Sequence, residues 1–243
     1  MTRIGIITQA RMTSTRLPGK VLLPAGGRSL LDHHIDRLLR TGLPVVVATT
    51  TNTTDDPIES LARSRGVEVF RGSEADVLSR FAGAATESDL DAVVRVTSDC
   101  PLIDPALIDE GVRRYTDLDD PTAYVSNVIE RTYPRGFDFE VFSTAALLDA
   151  DARSSDPTER EHVTPYLYRN RSGRTRLHAV LHASDASHYR LTVDTADDLV
   201  VVRELIEKHD AAALGAADII AILDEHPALA SINAHVEQKK LGE

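Results

Sequence analysis

The chain of 243 residues has one cysteine, Cys100, so no internal disulfide can form, which fits a reducing compartment. Long apolar runs are also missing. No window approaches the ~18 apolar residues of a membrane span. The first nine residues carry one arginine and then the run Ile4-Gly5-Ile6-Ile7, too short for the core of a signal peptide. Positive charge is scarce: 27 Lys and Arg stand against 38 Asp and Glu, a net charge of −11. That balance argues against a polyanion-binding surface and hence against nucleic acid as a partner. The glycine-rich loop ending in Gly-Lys-Ser/Thr and the Gly-x-Gly-x-x-Gly pattern are both absent, which disfavours ordinary ATPase and dinucleotide readings. His178 and His182 have no Cys or acidic third ligand spaced for zinc, and read as surface residues, while His33 and His34 fall inside a helix. These shortages describe a soluble, cytoplasmic protein with neither membrane nor nucleic-acid partners.

What is present is a repeating pattern. Short β-branched apolar runs at Ile4–Thr8, Val45–Thr49, Val67–Phe70 and Ala92–Thr97 alternate with the helical stretches SLLDHHIDRLLR, PIESLARSR and EADVLSRFAGAA. Continuous hydrophobicity in the runs predicts a mostly parallel sheet buried on both faces by flanking helices, an α/β fold. A helix is expected at Pro105–Tyr115, strands within YVSN and FDFEVFS, and a helix at Thr144–Ala152. Another helix should start at Asp156, with Glu159 completing a capping box. Strands at Leu177–Ala183 and Tyr189–Val193 precede a helix capped by Thr195, and an alanine-rich helix covers about Ala211–Glu225. The length fits one domain over residues 1–243, with residues 120–190 as an inserted lobe.

Ligands of such sheets bind beyond the carboxyl ends of the strands, which directs attention to three loops. QARMTSTRLPGK, Gln9 to Lys20, gathers Arg11, Arg16 and Lys20 in an otherwise acidic chain, as a pocket for a small anion would; solvated cations paired with surface acids are the plain alternative. In RVTSDCPLID, Asp99 follows the fourth strand and either holds a divalent ion or shapes the turn, Asp104 can cap the next helix, and Cys100 reads as a small buried residue rather than a nucleophile. Asp194, in RLTVDTADDL, has the same strand-end setting as Asp99. Two carboxylates arriving from distant strand ends suit Mg²⁺, and capping is again the alternative. Arg95, mid-strand in a sheet covered on both faces, needs a partner and is expected to brace the metal carboxylate.

The stretches QARMTSTRLPGKVLLPAGGRSLLDHHIDRL, VFRGSEADVLSRF, VVRVTSDCPLIDP, YVSN, RTYPRGFDFEVFS, EREHVTPY and TVDTADDLVVVR, in this order over about residues 3–205, resemble the spore-coat polysaccharide biosynthesis protein F group of cytidylyltransferases. Relatives of that group activate Kdo and acylneuraminates as CMP-sugars. The resemblance implies a Rossmann-like nucleotidyltransferase fold, CTP as donor, Mg²⁺ as metal, an anionic sugar acid as acceptor and a homodimer. It places Arg11, Met12, Ser14, Arg16 and Lys20 on the phosphate-binding loop, with Arg11, Arg16, Lys20 and Asp99 catalytic and Asp99 and Asp194 on the metal. Thr49, Thr50, Arg71, Gly72, Ser73 and Ser98 fall on the rest of the nucleotide site. Asn127, Arg135, Asp138, Glu140, Arg160, Glu161 and His162 fall on the acceptor side, where Arg135 or Arg160 would pair a carboxylate and Glu140, Glu161 or His162 would orient the hydroxyl or serve structure. Two departures stand out: Ser98 and Cys100 flank Asp99 where Kdo synthetases carry Gly and Glu, and Phe137-Asp138-Phe139-Glu140 replaces a Leu-Asp-Val-Glu form. Transfer from another nucleotide, a phosphonate or phosphate acceptor, or a non-catalytic nucleotide-binding homologue are the competing readings.

Overall fold

The structure, a computed structural model, describes residues 2–238. In chain order it contains β1 (Ile4–Gln9), β2 (Pro24–Ala25), β3 (Arg28–Ser29), α1 (Leu30–Leu39), β4 (Val45–Thr50), α2 (Asp56–Ser64), β5 (Glu68–Gly72), α3 (Val77–Glu87), β6 (Ala92–Thr97) and α4 (Pro105–Leu118). The second half holds β7 (Ala123–Ser126), β8 (Glu140–Ser143), α5 (Thr144–Arg153), α6 (Pro157–His162), α7 (Pro165–Tyr168), β9 (Arg176–Ala179), α8 (Ala196–His209), α9 (Ala216–Glu225) and α10 (Pro227–Ser231).

Seven strands form one sheet in the order β5-β4-β1-β6-β8-β7-β9. β8 runs antiparallel to β6 and β7, and the remaining neighbours pair in parallel. The unbroken apolar character of β1 and β4 follows from burial on both faces. Ile6, Val45 and Val47 enter one core cluster, while Ile7, Val46 and Ala48 enter the other, across the sheet. Helix starts follow the capping residues: Ser29, Asp76, Asp104, Ser143, Asp156 and Thr195 each accept a backbone N–H of the first turn. Thr195 and Asp198 form a reciprocal capping box.

From β1 the chain winds outward through β4 to β5, then returns to the opposite side of β1 as β6. The strand order therefore reverses between β1 and β6, and the loops leaving their carboxyl ends diverge to leave a crevice. Residues 9–20 and 98–104 are those loops.

The expected strands of the first half are present within a residue or two. Several expectations for the second half need correction. Tyr189–Val193 is not a strand; among the described residues one isolated bridge, Arg135 to Arg190, is its sheet-like pairing. The strand expected to reach Ala183 stops at Ala179, and the last alanine-rich helix begins at Ala216. Asp156 caps its helix, but Glu159 completes no capping box: it turns inward to accept from Ser154 Oγ at 2.6 Å and Arg171 Nε at 3.0 Å. The helix it starts breaks at Val163, which has φ 70° and ψ −58° with Thr164 N donating to His162 O at 2.8 Å, a γ-turn that is strained for a β-branched residue. A small hairpin over residues 24–29 also went unforeseen; Gly26 and Gly27, at φ 56° and 79°, supply the two positive φ values of its turn.

Candidate functional site

A cavity of about 380 Å³ opens at the crevice between the carboxyl ends of β1 and β6. Gln9, Ala10, Arg11, Ser14, Arg16 and Lys20 contribute from one side, and Thr97, Ser98 and Asp99 from the other. The loop after β1 is held by its backbone. Ala10 N donates to Ala48 O at 3.2 Å, Gly19 N donates to Met12 O at 2.9 Å, and Met12 N donates to Asp55 Oδ1 at 2.8 Å. Gly19 turns the chain at φ 68°, a conformation that costs glycine little.

At one end of the cavity the charges converge. Lys20 Nζ lies 2.8 Å from Asp99 Oδ2 and 2.8 Å from Asp194 Oδ1, so the two carboxylates are within twice that distance of each other. Arg16 reaches Asp194 Oδ2 at 2.9 Å and Arg190 reaches the same oxygen at 2.6 Å. Behind them Asp198, fully buried, accepts from Arg190 Nε at 2.9 Å and from the Asp194 and Thr195 amides at 3.0 Å. Val193 N donates to Asp99 O at 2.8 Å, tying the two distant segments together. Burial pulls the Lys20 ammonium down, but Asp99 and Asp194 outweigh it and its pKa is raised. Burial likewise pushes Asp99 up, and the adjoining Lys20 ammonium more than offsets this, holding the carboxyl well below the usual carboxylate range. Cys100, beside them, is pushed up by burial and by the Asp99 charge and stays a protonated thiol.

Two hard oxygen donors meeting at one point, beside the cations of the loop after β1, suit a divalent ion that completes its shell with further oxygen ligands and water. Among the described residues no group of three or more His, Cys, Asp or Glu side chains could hold a metal alone.

The residues expected to form the site divide into those the structure brings to the cavity and those it engages elsewhere. Arg11, Ser14, Arg16, Lys20, Ser98, Asp99, Asp194, Glu161 and His162 line it. Met12 contributes its backbone to the loop. Thr49 and Thr50 are buried and turn their hydroxyls to Asp55, at 3.2 and 2.5 Å, so they support the carboxylate that holds Met12. Arg71 is a strut from its strand to Thr50 O, Asn52 O, Asp56 and Glu59. Gly72 and Ser73 line the underside of Arg80, whose Nη1 donates to Ser73 O at 2.5 Å.

On the expected acceptor side the same division appears. Asn127 Nδ2 donates to Phe137 O at 2.8 Å, and its Oδ1 accepts from Phe139 N at 3.1 Å, an internal brace. Asp138 forms a fork with Arg131 at 2.6 and 2.9 Å, and Arg160 is taken by Asp76 and Asp151. The Arg135 side chain stands away from the cavity wall, its charge disfavoured by burial and then by the neighbouring Arg131. Glu140, buried, accepts from Arg95, Tyr124 and Thr164. Arg95 therefore pairs with the residue opposite it on β8 rather than bracing the Asp99 carboxylate. Glu161 and His162 reach the cavity because the γ-turn at Val163 ends α6 there. Burial lowers the His162 pKa, with Glu161 opposing and Arg95 assisting, so the imidazole is neutral at neutral pH.

Sequence reasoning missed Val77, Arg80, Thr97 and Gln238 on the cavity wall, and Arg190 behind Asp194. A signal for Arg80 existed: it falls within the buried stripe of α3, between Val77, Phe81 and Ala84, where a cation has no ordinary reason to be.

Comparison with known proteins agrees with this geometry. A family model described as Cytidylyltransferase matches residues 4–218. The chain is 34% identical over 238 residues to spore coat polysaccharide biosynthesis protein SpsF of Bacillus subtilis, covering 93% of this chain and 96% of that protein. It is 32% identical over 182 residues to a 3-deoxy-manno-octulosonate cytidylyltransferase of Solibacter usitatus, covering 68% of this chain and 70% of the other. Among solved structures, a cytidylyltransferase from Leptospira borgpetersenii superposes with a TM-score of 0.91 at 34% identity, over 99% of this chain and 100% of that one.

Proposed function

This chain belongs to the cytidylyltransferase family, and we propose that it transfers CMP from CTP to the hydroxyl of an anionic sugar acid of the ulosonic or nonulosonic type, releasing pyrophosphate. One observation carries the reading: a lysine and an arginine meet two carboxylates within 2.9 Å at one end of a crevice at the sheet's switch point. The names of the SpsF and 3-deoxy-manno-octulosonate relatives support the acceptor class.

The acceptor oxygen forms a bond to the α-phosphorus, and the bond from that phosphorus to the bridging oxygen breaks, its electron pair leaving with pyrophosphate. Arg11, Arg16 and Lys20 stabilise the charge gathering on the leaving group, a preorganised electrostatic contribution that needs no covalent enzyme intermediate. Asp99 and Asp194 would hold a divalent ion, magnesium by their oxygen donors, and bound there it supplies charge neutralisation to the phosphate oxygens. Ser98 and the backbone of residues 10–14 shape the phosphate wall. A ring nitrogen of His162, neutral at neutral pH, accepts the hydroxyl proton, and Glu161 orients the acceptor beside it. Asn127, Asp138, Glu140 and Arg160 support that wall from behind, and Arg135, which has no carboxylate partner among the described residues but stands off the cavity wall, would have to swing inward to meet an acceptor's carboxylate.

Residues 120–190 would also pair two copies, since Leu177 and Leu181 are exposed at the β9 edge of the sheet; light scattering of the purified protein at twice the monomer mass is the expected result, and the monomer mass contradicts it. The activity is tested by pyrophosphate release from the four nucleoside triphosphates against a panel of ulosonic acids and phosphonates, with mass detection of the adduct. CTP-dependent release with a sugar acid is expected; release with another nucleotide alone, or with no acid, contradicts the assignment.

A further inference from the structure

Arg80 is the cation in this structure whose situation the fold does not explain. It is 2% exposed on α3 and reaches the cavity wall beside Val77. Its Nη1 donates to Ser73 O, its Nε is buried with no hydrogen-bond partner, and no carboxylate lies within ion-pairing distance of it among the described residues. Burial and then the neighbouring Arg11 lower its pKa to about 10, with Asp55, Glu74 and Asp76 opposing, so it is charged at neutral pH. A buried guanidinium left unpaired is costly, and native folds accept that cost where a ligand completes the pairing. The stem is accommodated deliberately: a Cβ on Gly72 would stand 3.0 Å from Arg80 Cγ.

Its place in the cavity shows which part of a nucleotide it would meet. Lys20, Asp99 and Asp194 form one end, beside Leu191 and Val193 of the core cluster on one face of the sheet. Val77 and Arg80 belong to α3, whose apolar residues fill the cluster on the other face. With its phosphates at Lys20, a nucleotide laid across the end of β1 would bring its base to the Val77 and Arg80 wall of the same cavity. Cytosine presents two adjacent acceptors there, ring N3 and carbonyl O2. Uracil keeps O2 but has a donor N–H at position 3. The guanidinium, with one nitrogen engaged by Ser73 O, retains N–H groups that satisfy both cytosine acceptors and oppose the uracil N–H.

We propose that Arg80 reads the base of the nucleotide and selects cytosine over uracil, Val77 packing beside it. This rests on the donor assignment above, and the test separates the two. Binding of CTP and of UTP, each with magnesium, is measured by calorimetry on the wild-type protein, Arg80→Met and Arg80→Lys, alongside thermal unfolding without ligand. Wild-type protein should prefer CTP. In Arg80→Met the CTP affinity should fall about 10- to 100-fold with UTP little changed, so that the preference collapses, while the unliganded protein unfolds at the same temperature or higher because a buried unpaired charge is gone. Arg80→Lys, which keeps charge and length if the methionine variant folds poorly, should bind CTP weakly without restoring the preference. An intact preference in both variants, or equal losses for CTP and UTP as for a phosphate contact, overturns the proposal. So does a lowered unfolding temperature with both affinities unchanged, which marks a structural arginine. A wild-type protein with no preference for CTP would instead overturn the donor assignment itself.

Discussion

Replacing Glu140 with alanine tests the reading that this buried carboxylate is a structural hub. Its oxygens accept from Arg95, from the Tyr124 hydroxyl and from Thr164 Oγ1 at 2.7 Å. The side chains of Arg95 and Glu140 are 14% and 7% exposed. Burial disfavours the charge on Arg95, and Glu140 more than restores it, so its pKa is raised. Removing Glu140 strands that guanidinium, whose remaining contacts are Gln9 Oε1 at 3.5 Å and the Phe81 ring, 5.7 Å away at its centroid. Breaking a buried pair from one side costs about 3–5 kcal/mol, and two orphaned hydroxyls add to it unless water reaches them. We therefore expect Glu140→Ala to destabilise the protein by about 4 kcal/mol, which at a urea slope of roughly 2 kcal/mol per molar moves the midpoint down by about 2 M. Arg95→Met alone should cost less, and the double variant Arg95→Met with Glu140→Ala should be more stable than Glu140→Ala by about 1 kcal/mol or more, the sign of a coupled pair. A Glu140→Ala midpoint shifted by less than about 0.5 M, or a double variant no better than the single, refutes the argument.

Lys20→Met should lower turnover by orders of magnitude, measured as pyrophosphate release, and should also change the acid limb of stability. Asp99 is depressed in the folded protein, so its contribution is present above its unfolded pKa of about 3.9 and is lost as pH falls below it; Lys20 is raised, so its contribution is present below about 10.4 and is lost as pH rises beyond that. Unfolding temperature between pH 2 and 11 should show both limbs in the wild type and, in Lys20→Met, neither the Lys20 limb nor the Asp99 acid limb, because burial without the ammonium pushes the Asp99 carboxyl up rather than down; superimposable profiles contradict the pairing. Asp55→Ala frees Met12 N and the hydroxyls of Thr49 and Thr50. It should raise the KM for CTP about tenfold with a smaller change in kcat, by loosening the cation loop while leaving every phosphate-facing side chain present, and an unchanged KM would show that Asp55 does not position the loop.

Much of this was legible in the sequence, for a physical reason that also marks where legibility stopped. β1, β4 and most of β6 are apolar runs because the sheet is covered on both faces there, so their pattern reports their environment directly, whereas the edge strand β5 carries Glu68 and Arg71. The loops at the carboxyl ends of β1 and β6, with Lys20 and Asp99, follow from that topology; Asp194 meets them although the segment before it is not a strand. The segment from 120 to 190 is different: its course is set by long-range contacts such as Arg95 to Glu140 and the strained turn at Val163, neither of which has a local signature. Residue type misled for the same reason. Arg71, Arg160 and Asp138 carry the chemistry of a binding site, yet the fold gives each a charged internal partner, whereas Arg80 sat unnoticed in a helical stripe with Ser73 O alone and its Nε unpaired.

The most direct test of the account is the rate of CTP-dependent pyrophosphate release, with magnesium and a sugar-acid acceptor that supports turnover, in Asp99→Asn and Asp194→Asn beside the wild type. Removal of either carboxylate should reduce the rate by about a hundredfold or more while circular dichroism and CTP-free unfolding remain cooperative. Either variant turning over within a few-fold of the wild type would contradict the claim that these two acids, meeting at Lys20, form the reacting end of the site.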